Sequence, residues 1–138
     1  MMKKKKNNKG FSLVELIVVI AIMAVLVGVL APQFIKYVDQ SRVSTDVQNL
    51  QEVITACQVA CADETVTPTS GTLAFAATGA PTATGLGWAL TNAGIQAPTV
   101  KSSTFKGKTL TVTITNGAPE FSINDSDCAS RLGIAVTP

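Results

Sequence analysis

The chain has no histidine, and only 14% of its 138 residues are charged. Without histidine it lacks the commonest general base and the commonest metal ligand. A charged share well below the usual ~25% excludes a disordered polyelectrolyte. The Lys+Arg count of 11 against an Asp+Glu count of 9 excludes a strongly basic nucleic-acid binder. Aromatic residues are scarce as well, at 5%. Serines are plentiful but have no histidine partner, no glycine-rich phosphate loop occurs, and no paired acids stand out. Enzyme activity is therefore not expected, nor is a cofactor.

The charge is unevenly placed. Lys3, Lys4, Lys5, Lys6 and Lys9 lie in the first ten residues, so the formal charge of +2 conceals a net −3 over residues 11–138. Directly after this basic start comes the run FSLVELIVVIAIMAVLVGVLA, Phe11 to Ala31, whose one charged residue is Glu15. A helix of that length spans about 31 Å, close to the ~30 Å hydrocarbon core of a bilayer. Basic residues stay on the cytoplasmic side, which sends the C-terminal part outward. A cleaved secretory signal wants an apolar stretch of only about 7–15 residues and a small-residue cut site. Val29-Leu30-Ala31 is the nearest candidate, but Pro32 follows it. A plain signal anchor fits the length and gives no reason for Glu15, because a carboxylate in the membrane costs roughly 2.5–3.5 kcal/mol on insertion scales.

The string KGFSLVELIVVIAIMAVLVGVLAPQF, residues 9–34, resembles the class III signal of type IV pilins and related pseudopilins. In that family a basic leader ends in Gly, the next residue becomes the N-methylated terminus, Glu is fifth in the mature chain, and Pro ends the first apolar stretch. Gly10, Phe11, Glu15 and Pro32 occupy those places. The resemblance implies cleavage after Gly10 by a prepilin peptidase/methyltransferase and N-methylation of Phe11. It implies polymerisation with further copies through the N-terminal helix, on a pilus assembly platform. Glu15 is then expected to pair with the Phe11 amine of a neighbouring subunit. The precursor is expected in the cytoplasmic membrane with its head outside, and the product in an extracellular pilus. A pseudopilin of a type II secretion or DNA-uptake machine shares every one of these features. An unprocessed membrane-anchored binding domain is the remaining alternative.

Gly28 and Pro32 form a second pair. Proline lacks the N–H that residue 32 donates to the carbonyl of residue 28, and glycine is a weak helix former. A kink or readily melted turn is expected there; the resemblance adds unwinding on assembly.

Beyond Pro32 the chain turns amphipathic, with Val43, Val47, Leu50, Ile54, Cys57 and Cys61 at helical spacing and Asp39, Arg42, Asp46 and Glu52 among the polar remainder. The helix is expected to run to about Ala62. Leu86–Ala93 reads as a short helix or turn, Lys108–Thr115 and Glu120–Asn124 as strands joined at Asn116-Gly117, and Leu132–Thr137 as a third strand. The expected fold class is α+β, a long N-terminal helix on a small antiparallel sheet, the arrangement being what the resemblance implies. The segments are a leader (1–10), a membrane or fibre-core helix (11–31), its amphipathic continuation (32–62) and a head (63–138).

Cys57, Cys61 and Cys128 leave an odd thiol in any pairing. No fourth ligand completes a zinc site, and a direct Cys57–Cys61 bridge strains a helix. In an exported head the expected bridge joins Cys128 to Cys61, with Cys57 as the other partner and three reduced thiols as the alternative. Asn124-Asp125-Ser126-Asp127 carries two carboxylates but lacks a full calcium-loop pattern, and reads first as a polar turn. Its first three residues, Asn124-Asp125-Ser126, also read as a glycosylation sequon.

The leader reading predicts that Gly10→Val, which puts a branched side chain where the backbone must enter the peptidase, leaves the chain at precursor mass on an immunoblot. A normally shortened product from that variant defeats the reading.

Overall fold

The computed structural model describes residues 10–137; the leader lysines lie outside the described residues. The chain divides into two units, Met1–Tyr37 and Val38–Pro138. Helix α1, Leu13–Ala62, begins in the first and ends in the second.

In the first unit every residue from Gly10 to Tyr37 is exposed. The helix is apolar around its whole circumference, so no face is left to turn to water. It carries Gly28 and Pro32 within unbroken helical structure. The uncovered apolar surface does not stop at Pro32. Phe34, Ile35 and Tyr37 remain about two-thirds exposed, and the first buried residue is Val43.

The second unit holds the core. Its sheet has five strands in the order β2-β1-β3-β4-β5: β1 (Gly71–Phe75), β2 (Pro81–Thr84), β3 (Thr109–Thr115), β4 (Ala118–Ile123) and β5 (Ala135–Val136). All neighbours are antiparallel except β5, which lies parallel to β4. Two short helices, α2 (Gly87–Ala93) and α3 (Ser126–Leu132), fill the connections. The result is α+β and pilin-like, a long helix on a small, mostly antiparallel sheet. The expected three strands become five.

The β3–β4 hairpin follows directly from its residues. Leu110 and Val112 alternate inward from β3 and meet Ile123 and Phe121 across the pair. Asn116 (φ 53°) and Gly117 (φ 81°) supply the two left-handed positions that a tight two-residue turn requires. The β1–β2 hairpin is less legible. β1 offers only Leu73 and Phe75 inward, and β2 opens with Pro81, which is tolerated because β2 is an edge strand. Its glycines are steric necessities: a Cβ on Gly71 would stand 2.4 Å from the Thr84 carbonyl oxygen, and one on Gly79 would meet the Val100 carbonyl. Segment 124–127, read as a polar turn, instead opens α3, with Asp125 as its N-cap.

The buried face of α1 is rotated from the expected stripe. Val43, Asp46, Leu50, Val53, Cys57 and Ala60 line it, with Ile54 and Ala56 buried beside them, while Val47 and Cys61 are only half-buried. Small residues at 56 and 60 let the head approach closely. The rotation also puts Asp46, expected among the polar residues, in the interior at 1% exposure. Its carboxylate accepts the backbone N–H of Lys101 at both oxygens (3.0 and 3.0 Å) and that of Ser102 at 2.7 Å. Val100 N–H in turn donates to Gly79 O at 3.0 Å. The strandless segment before β3 is thus held between α1 and the β1–β2 turn, and Phe105 on it is fully buried.

A buried carboxylate with three N–H contacts is stable only as a set, since each stranded N–H costs about 1–3 kcal/mol. Asp46→Ala is expected to destabilise the head by about 2–4 kcal/mol, and Asp46→Asn by less because one acceptor oxygen survives. Urea unfolding followed through Trp88, the lone tryptophan, measures this; an Asp46→Ala curve coincident with wild type contradicts it.

Candidate assembly site

The residues that the N-terminal pattern singles out lie at the start of α1. Gly10, Phe11 and Ser12 precede the helix and Leu13 opens it. Phe11 is 89% exposed, and a Cβ on Gly10 would meet nothing within 4 Å. The Gly10–Phe11 peptide bond therefore lies outside the helix in open chain. Glu15 is the third helical residue, and its Oε2 accepts the Ser12 N–H at 2.9 Å. This is the reciprocal half of a capping box, the device by which an acid in the first turn satisfies an otherwise orphaned amide. A carboxylate here also suits the positive end of the helix dipole.

Twelve apolar residues of the following turns, from Leu13 to Val27 and including Met23, are each about half to three-quarters exposed. Nothing within the first unit covers them. Gly28 also has open space around it. The structure places Gly10, Phe11 and Glu15 together at one end of α1, and Gly28 and Pro32 about four to five turns further on.

The cysteines sit elsewhere, in the head. All three are free thiols, so the expected Cys61–Cys128 bridge is not formed, nor is its Cys57 alternative. Cys57 and Cys128 are fully buried in the core, and Cys61 is partly exposed. Burial pushes the Cys57 thiol up to about 11, helped by neighbouring Cys61. Burial also raises Cys61. Cys128 is pushed up to about 12, first by burial and then by Asp125 beside it. Its Sγ–H donates to Thr104 O at 3.3 Å. The charged groups that act on Cys128 are Asp125, Lys108 and Asp127, none of them on α1. Thiols held this firmly in the protonated form are poor nucleophiles.

The acids of segment 124–127 are likewise occupied by local structure. Asp125 Oδ1 accepts the N–H of Asp127 and Cys128, both at 3.0 Å, and Oδ2 pairs with Lys108 Nζ at 2.6 Å. Asp127 pairs with Arg131 one turn on at 3.0 Å, and Asn124 Oδ1 accepts the Thr109 N–H at 2.9 Å. Sequence reading missed this cap, although an Asp before the segment and Gly133 after it are the ordinary start and stop of a short helix.

Comparison with known proteins agrees with the N-terminal geometry. Residues 5–31 match the family described as the prokaryotic N-terminal methylation motif. Prepilin peptidase-dependent protein A of Clostridium perfringens is 36% identical over 63 residues, 45% of this chain and 45% of its own. Type IV major pilin protein PilA of Myxococcus xanthus is 41% identical over 50 residues, 36% of this chain and 23% of its own. The aligned parts thus span less than half of either relative. No solved structure matches the chain. The N-terminal segment thus matches a prokaryotic N-terminal methylation motif, and part of the chain is similar to a prepilin peptidase-dependent protein and to a type IV major pilin.

Lys108 holds Asp125 well below the usual carboxylate range, at about 2 against an ordinary 3.8, with the Cys128 amide assisting. The same pair raises Lys108. The stability this acid contributes is complete above pH ~4 and is lost as pH falls towards 2. Acid titration of Asp125→Asn is therefore expected to show a shallower loss of head stability between pH 4 and 2 than wild type. Identical slopes contradict the assignment.

Proposed function

We propose that the chain is the structural subunit of a type IV pilus, made as a membrane-anchored prepilin. In this reading a prepilin peptidase cuts after Gly10, Phe11 is N-methylated, and the subunit polymerises with its own kind through the N-terminal helix. One observation carries the proposal: a methylation motif over residues 5–31 leads directly into a helix whose apolar surface the protein leaves wholly uncovered. Such a helix has two suitable environments, the bilayer and a bundle of identical helices. The first serves the precursor and the second the fibre.

Each residue then has a physical task. Gly10 lets the backbone into the peptidase. Removing residues 1–10 takes away five lysines and frees the Phe11 amine. Glu15 pairs with the Phe11 amine of a neighbour, so that two charges costly to bury singly are neutralised together. Gly28 and Pro32 form the weak turn at which the helix extends as subunits pack. The head, residues 63–138, forms the outer surface. The resemblance to a major pilin favours the pilus over the secretion or DNA-uptake pseudopilin.

Intact-mass measurement of the mature protein is expected to show loss of residues 1–10 and gain of one methyl group. Electron microscopy with antibody against residues 65–138 is expected to decorate long surface filaments. An unshortened mass excludes a pilin, and label confined to the cell envelope favours the pseudopilin.

A further inference from the structure

Val59 departs from the pattern of the second unit. It lies on α1 and is 65% exposed, a branched apolar side chain that the core leaves in the open. Beside it runs an open groove of about 440 Å³. One wall is the stripe Glu52, Thr55, Ala56 and Val59, which helical spacing puts on one face of α1. The other wall is Ala93 and Ile95, at the end of α2. That wall is fixed in place: Gly94 closes α2 in the left-handed conformation, and the Ile95 N–H donates to the Leu90 carbonyl at 3.0 Å. The lining is mostly apolar. Its one charge is Glu52, which has no ion pair among the described residues.

A surface of matching chemistry stands in the first unit. Phe34 and Tyr37 are about two-thirds exposed and share one helix face, with Lys36 exposed beside Tyr37. Lys36 likewise has no ion pair among the described residues. We propose that the groove between α1 and α2 receives Tyr37 of a second copy of this chain, with that copy's Lys36 meeting Glu52. This rests on the filament reading above and adds to it a contact outside the methylation motif. Charge decides the occupant: an acid rims the apolar groove, and a cation borders the exposed aromatic ring. Within a helix, side chains meet at spacings of about three or four residues, so a chain's own Lys36 does not pair with its own Glu52. Tyrosine suits the groove because its rigid ring fills apolar space while its hydroxyl can donate to Glu52 or Thr55 at the rim. The inserted residue and the receiving groove are different surfaces, and every copy carries both. Such a heterologous contact propagates into an open filament when its rotation does not close a ring.

The test uses cells that make the full-length chain. In Tyr37→p-benzoylphenylalanine, irradiation of filaments and of membranes is expected to give a covalent dimer whose cross-linked peptide contains Val59 or Ile95. Charge reversal supplies the second arm. Glu52→Lys and Lys36→Glu are each expected to lower filament yield about tenfold, because like charges then face each other. The double variant is expected to recover to within about twofold of wild type. Both positions are exposed, so neither reversal disturbs the core. Adducts to lipid alone or to another protein overturn the proposal, as does a double variant no better than the singles. Filaments whose adduct maps to a different part of the second copy leave the filament reading standing and defeat this contact. A processed chain that forms no filaments, yet gives the Val59 or Ile95 adduct in membranes, keeps the contact and defeats the filament reading instead.

Discussion

The constraint on which the rest of this molecule depends is an apolar helix that its own fold does not cover. Eighteen large apolar side chains between Phe11 and Tyr37 are 47–89% exposed. Burying such a side chain fully is worth roughly 1.5–3 kcal/mol, so together they represent tens of kcal/mol. That exceeds the roughly 5–15 kcal/mol net stability of an ordinary domain. No rearrangement of a head this size can hide so much surface, because the head already has a complete core of its own. The segment must find cover outside the chain, and its length matches a bilayer.

This constraint explains why polar groups near the helix start carry so much consequence. In water, one glutamate in a first turn is an unremarkable cap. In any surroundings that cover the apolar helix after it, the same glutamate would lose water as well, and each hydrogen bond it makes would count for more. Asp46 solves a related problem in the head by another route. It is also a carboxylate on α1, but the protein surrounds it with three backbone N–H contacts of its own and thereby ties a strandless segment into the core. Asp46 is satisfied inside the head by amides distant in sequence, whereas Glu15, among the described residues, takes only the Ser12 N–H of its own first turn.

How much was legible follows the same division. The N-terminal half could be read from sequence because its physics is one-dimensional: a basic start, a run of defined length, and an acid and a proline at fixed offsets. The β3–β4 hairpin was legible too, since strict alternation and Asn116-Gly117 are local signals. The β1–β2 hairpin was not, because Gly71, Ala74, Pro81 and Ala83 give weak strand signals and the pairing is decided by close backbone approach. Asp46 was misplaced for a deeper reason. Its partners are the amides of Lys101 and Ser102, more than fifty residues away, and backbone N–H groups leave no mark on composition. Periodicity assigns a lone acid to the solvent face unless the partner is visible.

The cysteines extend that lesson to chemistry. An odd count in an exported head invites a bridge, and Cys128 with Cys61 was the arithmetically reasonable one. The rotated face of α1 turns Cys57 into the core and leaves Cys61 on its margin, while Cys128 enters the core from α3 under the control of Asp125 and Lys108. All three thiols are free, and the two interior ones are held in the protonated form by burial. Their contribution to the head is packing: Cys57 and Cys128 serve as compact apolar residues in a core built largely from Leu, Val and Ala. Stability in this head is therefore carried by side-chain burial and by the Asp46 clamp, leaving the N-terminal helix as the part of the chain that depends on what surrounds it.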